Sequence, residues 1–207
     1  MIDELCGDLT PVTPRRPRRG MTLCLLAAAG GAAVLLTALG LRPELSDGKL
    51  PPLALLQLFW SAGLAIIAQV CAVRMAMPAV GSDNGGWRWA ALVALAMPLA
   101  ALASLVAEPA AAWEASHPHA GVTCLWQGFV GGLAVAAALT LWLRQGAPVS
   151  PERAGLVTGI ASGATGAAIV VLHCPVDALM HVGIWHSAII LGGAAGGRLL
   201  LPSLLRW

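Results

Sequence analysis

The sequence predicts an all-α fold: a polytopic bundle of six transmembrane helices with both termini on the cytoplasmic side. Three observations predict it. The chain is 58% hydrophobic and only 11% charged, with a mean hydropathy of +0.79. That is too little charge to cover a soluble domain of 207 residues. The apolar residues gather into six runs, each close to the ~20 residues a helix needs to cross a ~30 Å hydrocarbon core. Ten of the twelve Lys and Arg fall on one side of the alternating loops. The formal net charge of +2 matters less than this sidedness.

In order along the chain, residues 1–20 form a polar tail, MIDELCGDLTPVTPRRPRRG, and residues 21–207 form the transmembrane domain. The six runs are Met21–Leu41, Pro51–Val73, Trp89–Ala107, Val122–Leu143, Ala154–Leu172 and Val182–Leu201. Backbone groups in lipid must be bonded internally, so single apolar runs of this length are helices. The first run follows RRPRRG as a signal peptide would, but it exceeds a signal h-region of ~7–15 residues and five more runs follow it. Pro98, in mid-run, predicts a kink in the third helix. Trp87, Trp89, Trp142 and Trp207 sit at run ends, as interfacial anchors do.

The cytoplasmic side takes Arg15, Arg16, Arg18, Arg19, Arg74, Arg88, Arg144, Arg153, Arg198 and Arg206; the outer side takes only Arg42 and Lys49. The outer loops are then Arg42–Leu50, Glu108–Gly121 and His173–His181. His117, His119, His173, His181 and His186 all lie in or beside the last two. Cys124 and Cys174 reach the same outer face, whereas Cys6, Cys24 and Cys71 fall on the inner side where thiols stay reduced. Gly155, Gly159 and Gly163 make a bare stripe on the fifth helix. Gly128 and Gly132 on the fourth, and Gly192, Gly193, Gly196 and Gly197 on the sixth, repeat the spacing of four. Such stripes let helices four to six approach closely.

Cys124 and Cys174 can be read as small apolar residues at helix ends, as a redox pair, or as ligands of a soft or transition metal ion. His173 and His186 are the candidate histidine ligands beside them. His186 lies inside an apolar run, where an ionisable group is costly. His117, His119 and His181 read as polar residues of the lipid–water boundary, and a spacing of five puts His181 and His186 off one α-helical face. No Asp or Glu occurs inside a predicted helix, as an ion-coupled transporter would require. P-loop, CxxC, HExxH and GxSxG motifs are also missing. A cysteine–histidine group without machinery for substrate chemistry reads as a sensor and not as an enzyme. In the tail, Ile2, Leu5 and Leu9 fall at i, i+3 and i+7, with Asp3, Glu4 and Asp8 elsewhere on the wheel. This is either a frayed terminus or a short acidic amphipathic helix that folds on a partner.

Several pieces carry a resemblance: DELCGDLTPV at the start, GLRPEL after the first run and the Trp87-Arg88-Trp89 entry to the third. The Cys124 region, LRQGAP, LHCP at 172–175, IWH at 184–186 and the ending GRLLLPSLLRW add to it. In their order and spacing they resemble the NrsF-type anti-sigma factors over nearly the whole chain. The resemblance implies a bacterial inner-membrane protein that holds an extracytoplasmic-function sigma factor inactive and releases it under stress. It implies a sensing role for the outer cysteine pair, matched by Cys124 and Cys174. It implies capture of the sigma factor on the cytoplasmic side, by the tail alone or by the tail with the inner loops, and the spacing in the tail makes Ile2, Asp3, Glu4, Leu5, Asp8 and Leu9 the candidate contacts. The expected partners are that sigma factor and the lipid bilayer, with no direct contact to nucleic acid. The alternative reading is a haem- or metal-binding membrane electron-transfer protein with His173 and His186 as axial ligands; a small transporter is a third.

Overall fold

A computed structural model describes residues 16–77, 86–107, 109–146 and 148–205, together with Gly7. The tail residues Ile2, Asp3, Glu4, Leu5, Asp8 and Leu9 lie outside the described residues. The described residues form helices and no strand, and six helices are long and apolar enough to cross a membrane. The six spans are Pro17–Leu39, Pro52–Met75, Gly86–Ala107, Ala112–Arg144, Pro151–Val171 and Leu179–Leu200.

Proline starts most of these helices. Pro17, Pro52, Pro118 and Pro151 each stand in the first turn, where the missing N–H costs nothing and the fixed φ suits a helix. Ser150 caps the fifth span by accepting the Arg153 N–H at 3.4 Å. Gly40, at φ 83, ends the first span while its N–H bonds the Leu36 carbonyl. Arg18 and Arg19 occupy the first turn of the first span, a position the helix dipole disfavours for cations.

The third span breaks where Pro98 predicts. Pro98 has no N–H for the Ala94 carbonyl, and the helix divides into Gly86–Ala94 and Ala96–Ala107 about Leu95. The sixth span holds a less expected irregularity. Between the short turn Leu179–His181 and the helix Ser187–Leu200, residues Val182–His186 form a π-helical turn.

The fifth span is the pillar of the bundle: 89% of its apolar window is buried, against 11% for the first span. Its glycines explain how. A Cβ on Gly155, Gly159 or Gly163 would strike the carbonyls of Gly197, Gly193 or Ile189 on the sixth span. On the other side a Cβ on Gly166 would strike the Gly128 carbonyl, and one on Gly132 the Ser162 carbonyl. Helices four and six thus touch helix five backbone to backbone, and close contact substitutes for the hydrophobic force that lipid does not supply. Two polar contacts cross between helices within the bundle: Gln69 with Thr165 at 3.2 Å, and the Trp142 indole N–H with the Val73 carbonyl at 3.1 Å.

Gly159→Val is expected to lower stability in detergent by about 1–3 kcal/mol, because the obstructing atoms are backbone and cannot rotate away. Gly30→Ala, with nothing within 4 Å of the added carbon, is expected to leave the thermal unfolding midpoint unchanged. Equal midpoints for the two variants would refute the backbone-contact account.

Candidate functional site

Four side chains converge at one end of the bundle: Cys124, Cys174, His181 and His186. All four are buried, and their ligand-capable atoms lie within 4.8 Å of one another. Cys124 stands in the second turn of the helix Pro118–Arg144. Cys174 follows the fifth span, where its N–H bonds the Val170 carbonyl at 2.7 Å. The two sulfurs are 3.5 Å apart, with the Cys124 thiol donating to Cys174. Both cysteines are free thiols.

The histidines arrive by the π-helical turn. In an α-helix residues five apart point in different directions. Bonding from i to i+5 brings such residues into near register, so His181 and His186 meet with ring centroids 5.4 Å apart. The turn is held from two sides: Trp185 packs over Gly121, and Gly183 sits against Ala101 and the Met97 carbonyl. The expectation that a spacing of five separates His181 from His186 is therefore overturned.

Each ring has a distinct environment. His181 is fully buried, and its Nδ1–H donates to the Ser116 carbonyl at 3.0 Å. The Trp185 indole N–H donates to the same oxygen at 3.0 Å. Ser116 belongs to a tight corner whose next residue, His117, is left-handed at φ 45. With Nδ1 so engaged, the Nε2 of His181 carries the free lone pair, 3.5 Å from the Cys174 sulfur. His186 is 1% exposed, and neither of its ring nitrogens has a hydrogen-bond partner among the described residues. Hydrogen bonding from Cys124, opposed by burial and reinforced by the hydrogen bond with His181, pulls the Cys174 thiol well below its usual range.

His173, a candidate ligand from sequence, does not join the group. Its Nδ1 meets the Gly40 carbonyl at 2.9 Å, at the end of the first span. His181, read from sequence as a boundary residue, takes the place beside His186. His117 stacks edge-on at 6.5 Å from His181, and His119 is exposed on the following helix.

Arg42 is the residue whose importance sequence reading missed. Its side chain is 1% exposed, and it grips Asp177 in a bidentate pair at 2.6 and 3.2 Å. Its Nε–H reaches Glu44 at 3.3 Å, and its backbone N–H reaches the Leu172 carbonyl at 3.0 Å. Burial works against the guanidinium charge, but Asp177 and then Glu44 outweigh it and raise the pKa. The Cys174 loop is thereby fastened to the loop that follows the first span. The sequence signal for this was that Arg42 is one of two cations on the side predicted to be outer, where a lone charge needs a partner.

Comparison with known proteins places these residues in context. The family model described as negative regulator of sigma F, NrsF, matches residues 5–207. The anti-sigma-F factor NrsF of Caulobacter vibrioides is 32% identical over 214 residues, covering 100% of this chain and 98% of that protein. The probable anti-sigma-F factor NrsF of Azospira oryzae is 29% identical over 183 residues, covering 87% of this chain and 84% of that protein. No solved structure matches the chain.

Proposed function

This chain belongs to the NrsF family of negative regulators of sigma F, and on that premise we propose that it is an inner-membrane anti-sigma factor with a thiol sensor at its outer face. It holds an extracytoplasmic-function sigma factor against the cytoplasmic side of the membrane through the tail. It releases that factor when Cys124 and Cys174 are oxidised or take a soft metal ion. The observation that carries the sensing half of this reading is the 3.5 Å approach of two free thiols 50 residues apart in sequence. The excess of Lys and Arg at the opposite end supports an oxidising, extracytoplasmic location for that pair.

The oxidation step needs a two-electron oxidant of the peroxide class. The two thiols give up two protons and two electrons, one S–S bond forms, and the peroxide O–O bond breaks to leave two waters. Sulfurs now 3.5 Å apart close to about 2.05 Å. Closure draws the Cys174 loop toward the fourth span and away from His181. The loop is tied to the first span by Arg42–Asp177 and His173–Gly40. That span is a rigid helix of 23 residues, about 35 Å long, and it leads straight into the tail. A shift at its outer end therefore moves the segment that would hold the sigma factor.

Two measurements test the reading together. Membranes containing the chain should retain the sigma factor, and peroxide should move it to the soluble fraction. Reporter fusions at positions 20, 80, 148 or 207 should read cytoplasmic, and fusions at 46, 115 or 178 periplasmic. A sigma factor that stays soluble with the chain present would refute the capture. A periplasmic C-terminus would put the thiol pair on the reducing side and refute the sensing.

A further inference from the structure

We propose that Cys124, Cys174, His181 and His186 form a closed four-coordinate site for a divalent zinc-class ion. The inference rests on the sensing reading for its purpose but not for its chemistry, and its test needs no sigma factor. The two can therefore fail separately.

The distances fit such an ion. Tetrahedral zinc with bonds of about 2.3 Å to sulfur and about 2.05 Å to nitrogen holds its sulfurs about 3.8 Å apart, and each sulfur about 3.6 Å from each nitrogen. The sulfurs of Cys124 and Cys174 are 3.5 Å apart, and Cys174 Sγ is 3.5 Å from His181 Nε2. Adjustments of a few tenths of an ångström would seat the ion, with all four donors already within 4.8 Å of one another.

The donors are also prepared. His181 gives its Nδ1–H to the Ser116 carbonyl, which aims the Nε2 lone pair into the group. This is the outer hydrogen bond that ligating histidines ordinarily make. His186 is buried, and neither ring nitrogen has a hydrogen-bond partner among the described residues. An imidazole left that way in a packed interior pays a desolvation cost with no return, and a metal bond to one nitrogen removes it.

Charge and chemistry agree on the class of ion. A divalent cation with two thiolates and two neutral imidazoles is neutral overall, which suits a buried site; Arg42 and Asp177, which line the same cavity as Cys174 and His186, already pair with each other. A tetrahedral S₂N₂ donor set with no carboxylate selects zinc over magnesium, calcium or manganese. Four protein ligands leave no open position for water, so the site binds and does not catalyse. The ligands come from the fourth span, the loop after the fifth and the start of the sixth, where His181 closes the short turn and His186 the π-helical one. The ion would tie three elements together, and a disulfide between the same sulfurs would exclude it. Metal and oxidation then become competing states of one switch.

The test uses the purified full-length chain in lipid nanodiscs, reduced and stripped of metal, titrated anaerobically with cobalt(II). One equivalent should bind, giving strong visible ligand-field bands of tetrahedral cobalt and a near-ultraviolet thiolate charge-transfer band. One equivalent of zinc should bleach both. His181→Gln and His186→Gln should each weaken cobalt binding by at least about tenfold, and His173→Gln should leave it unchanged. A pale octahedral spectrum, or identical spectra in wild type and both ligand variants, would overturn the site. Should either variant lose its helical circular dichroism, X-ray absorption of the zinc-loaded wild type decides. Two sulfurs at about 2.3 Å with two nitrogens at about 2.0–2.1 Å uphold the proposal, and any other donor set refutes it.

Discussion

Cys124→Ser, Cys174→Ser and the double variant are expected to share one defect: a sigma factor that stays on the membrane when peroxide or a soft metal is added. The two sulfurs stand 3.5 Å apart, and each thiol is free. A disulfide needs both sulfurs, and a metal held by both loses a bond with either, so the first substitution removes the event and the second has nothing left to remove. Residues that act as one unit are not additive. Loss of a tenfold release would correspond to about 1.4 kcal/mol in the binding equilibrium, and the double variant should lose no more than either single one. Serine preserves the size of the side chain, so basal retention should persist in all three variants. The measurement is the soluble fraction of the sigma factor before and after treatment, at equal amounts of inserted protein. Normal release in both single variants would end the sensor assignment. Additive losses would mean that the two thiols act at separate steps.

Leu5→Asp combined with Leu9→Asp is expected to free the sigma factor under all conditions while leaving the six helices inserted. The tail offers one apolar stripe, Ile2, Leu5 and Leu9, bordered by Asp3, Glu4 and Asp8. Such a helix is too short to be stable alone and would fold on its partner. Sigma factors present basic and apolar surfaces to DNA and polymerase, and an acidic helix with an apolar stripe complements them. Burying a leucine is worth about 1.5–3 kcal/mol, so exchanging two for carboxylates should weaken capture by well over about a hundredfold. Arg15, Arg16, Arg18 and Arg19 would hold the tail at the anionic inner leaflet with about 1 kcal/mol each. Co-fractionation of the sigma factor with membranes, and transcription of its regulon, read the outcome. Full retention with a silent regulon would refute the tail as the capture site and transfer the role to the loops after the second and fourth spans.

Much of this architecture was legible in the sequence because lipid leaves the backbone few choices. A run of about twenty apolar residues must close its own hydrogen bonds, so the number, order and approximate bounds of the six spans follow from hydropathy alone. Pro98 announced the break at Leu95, since a missing donor acts locally whatever the surroundings. The glycine stripe announced the pillar, since Gly155, Gly159 and Gly163 have no purpose on a lipid face and an evident one against a carbonyl. The same stripe favoured an approach of Cys124 and Cys174, and the 3.5 Å between their sulfurs comes from the folded structure.

The make-up of the site was decided by tertiary structure. A rule of α-helical spacing separates His181 from His186, and no local signal in VGIWH reports that these residues take a π-helical turn. That turn exists because Trp185 finds Gly121 and the Ser116 carbonyl while Gly183 finds Ala101, and these contacts come from two other spans. His173, one residue from Cys174, was the natural choice of ligand by sequence, yet the chain turns it toward Gly40. Arg42 and Asp177 stand 135 residues apart, and nothing in either neighbourhood names the other. The sequence alone determined how many helices are long and apolar enough to cross a membrane and where they lie, because those are matters of length and solvation. Which side chains meet at one end of the bundle depends on angles and packing between spans, and only the folded bundle decides them.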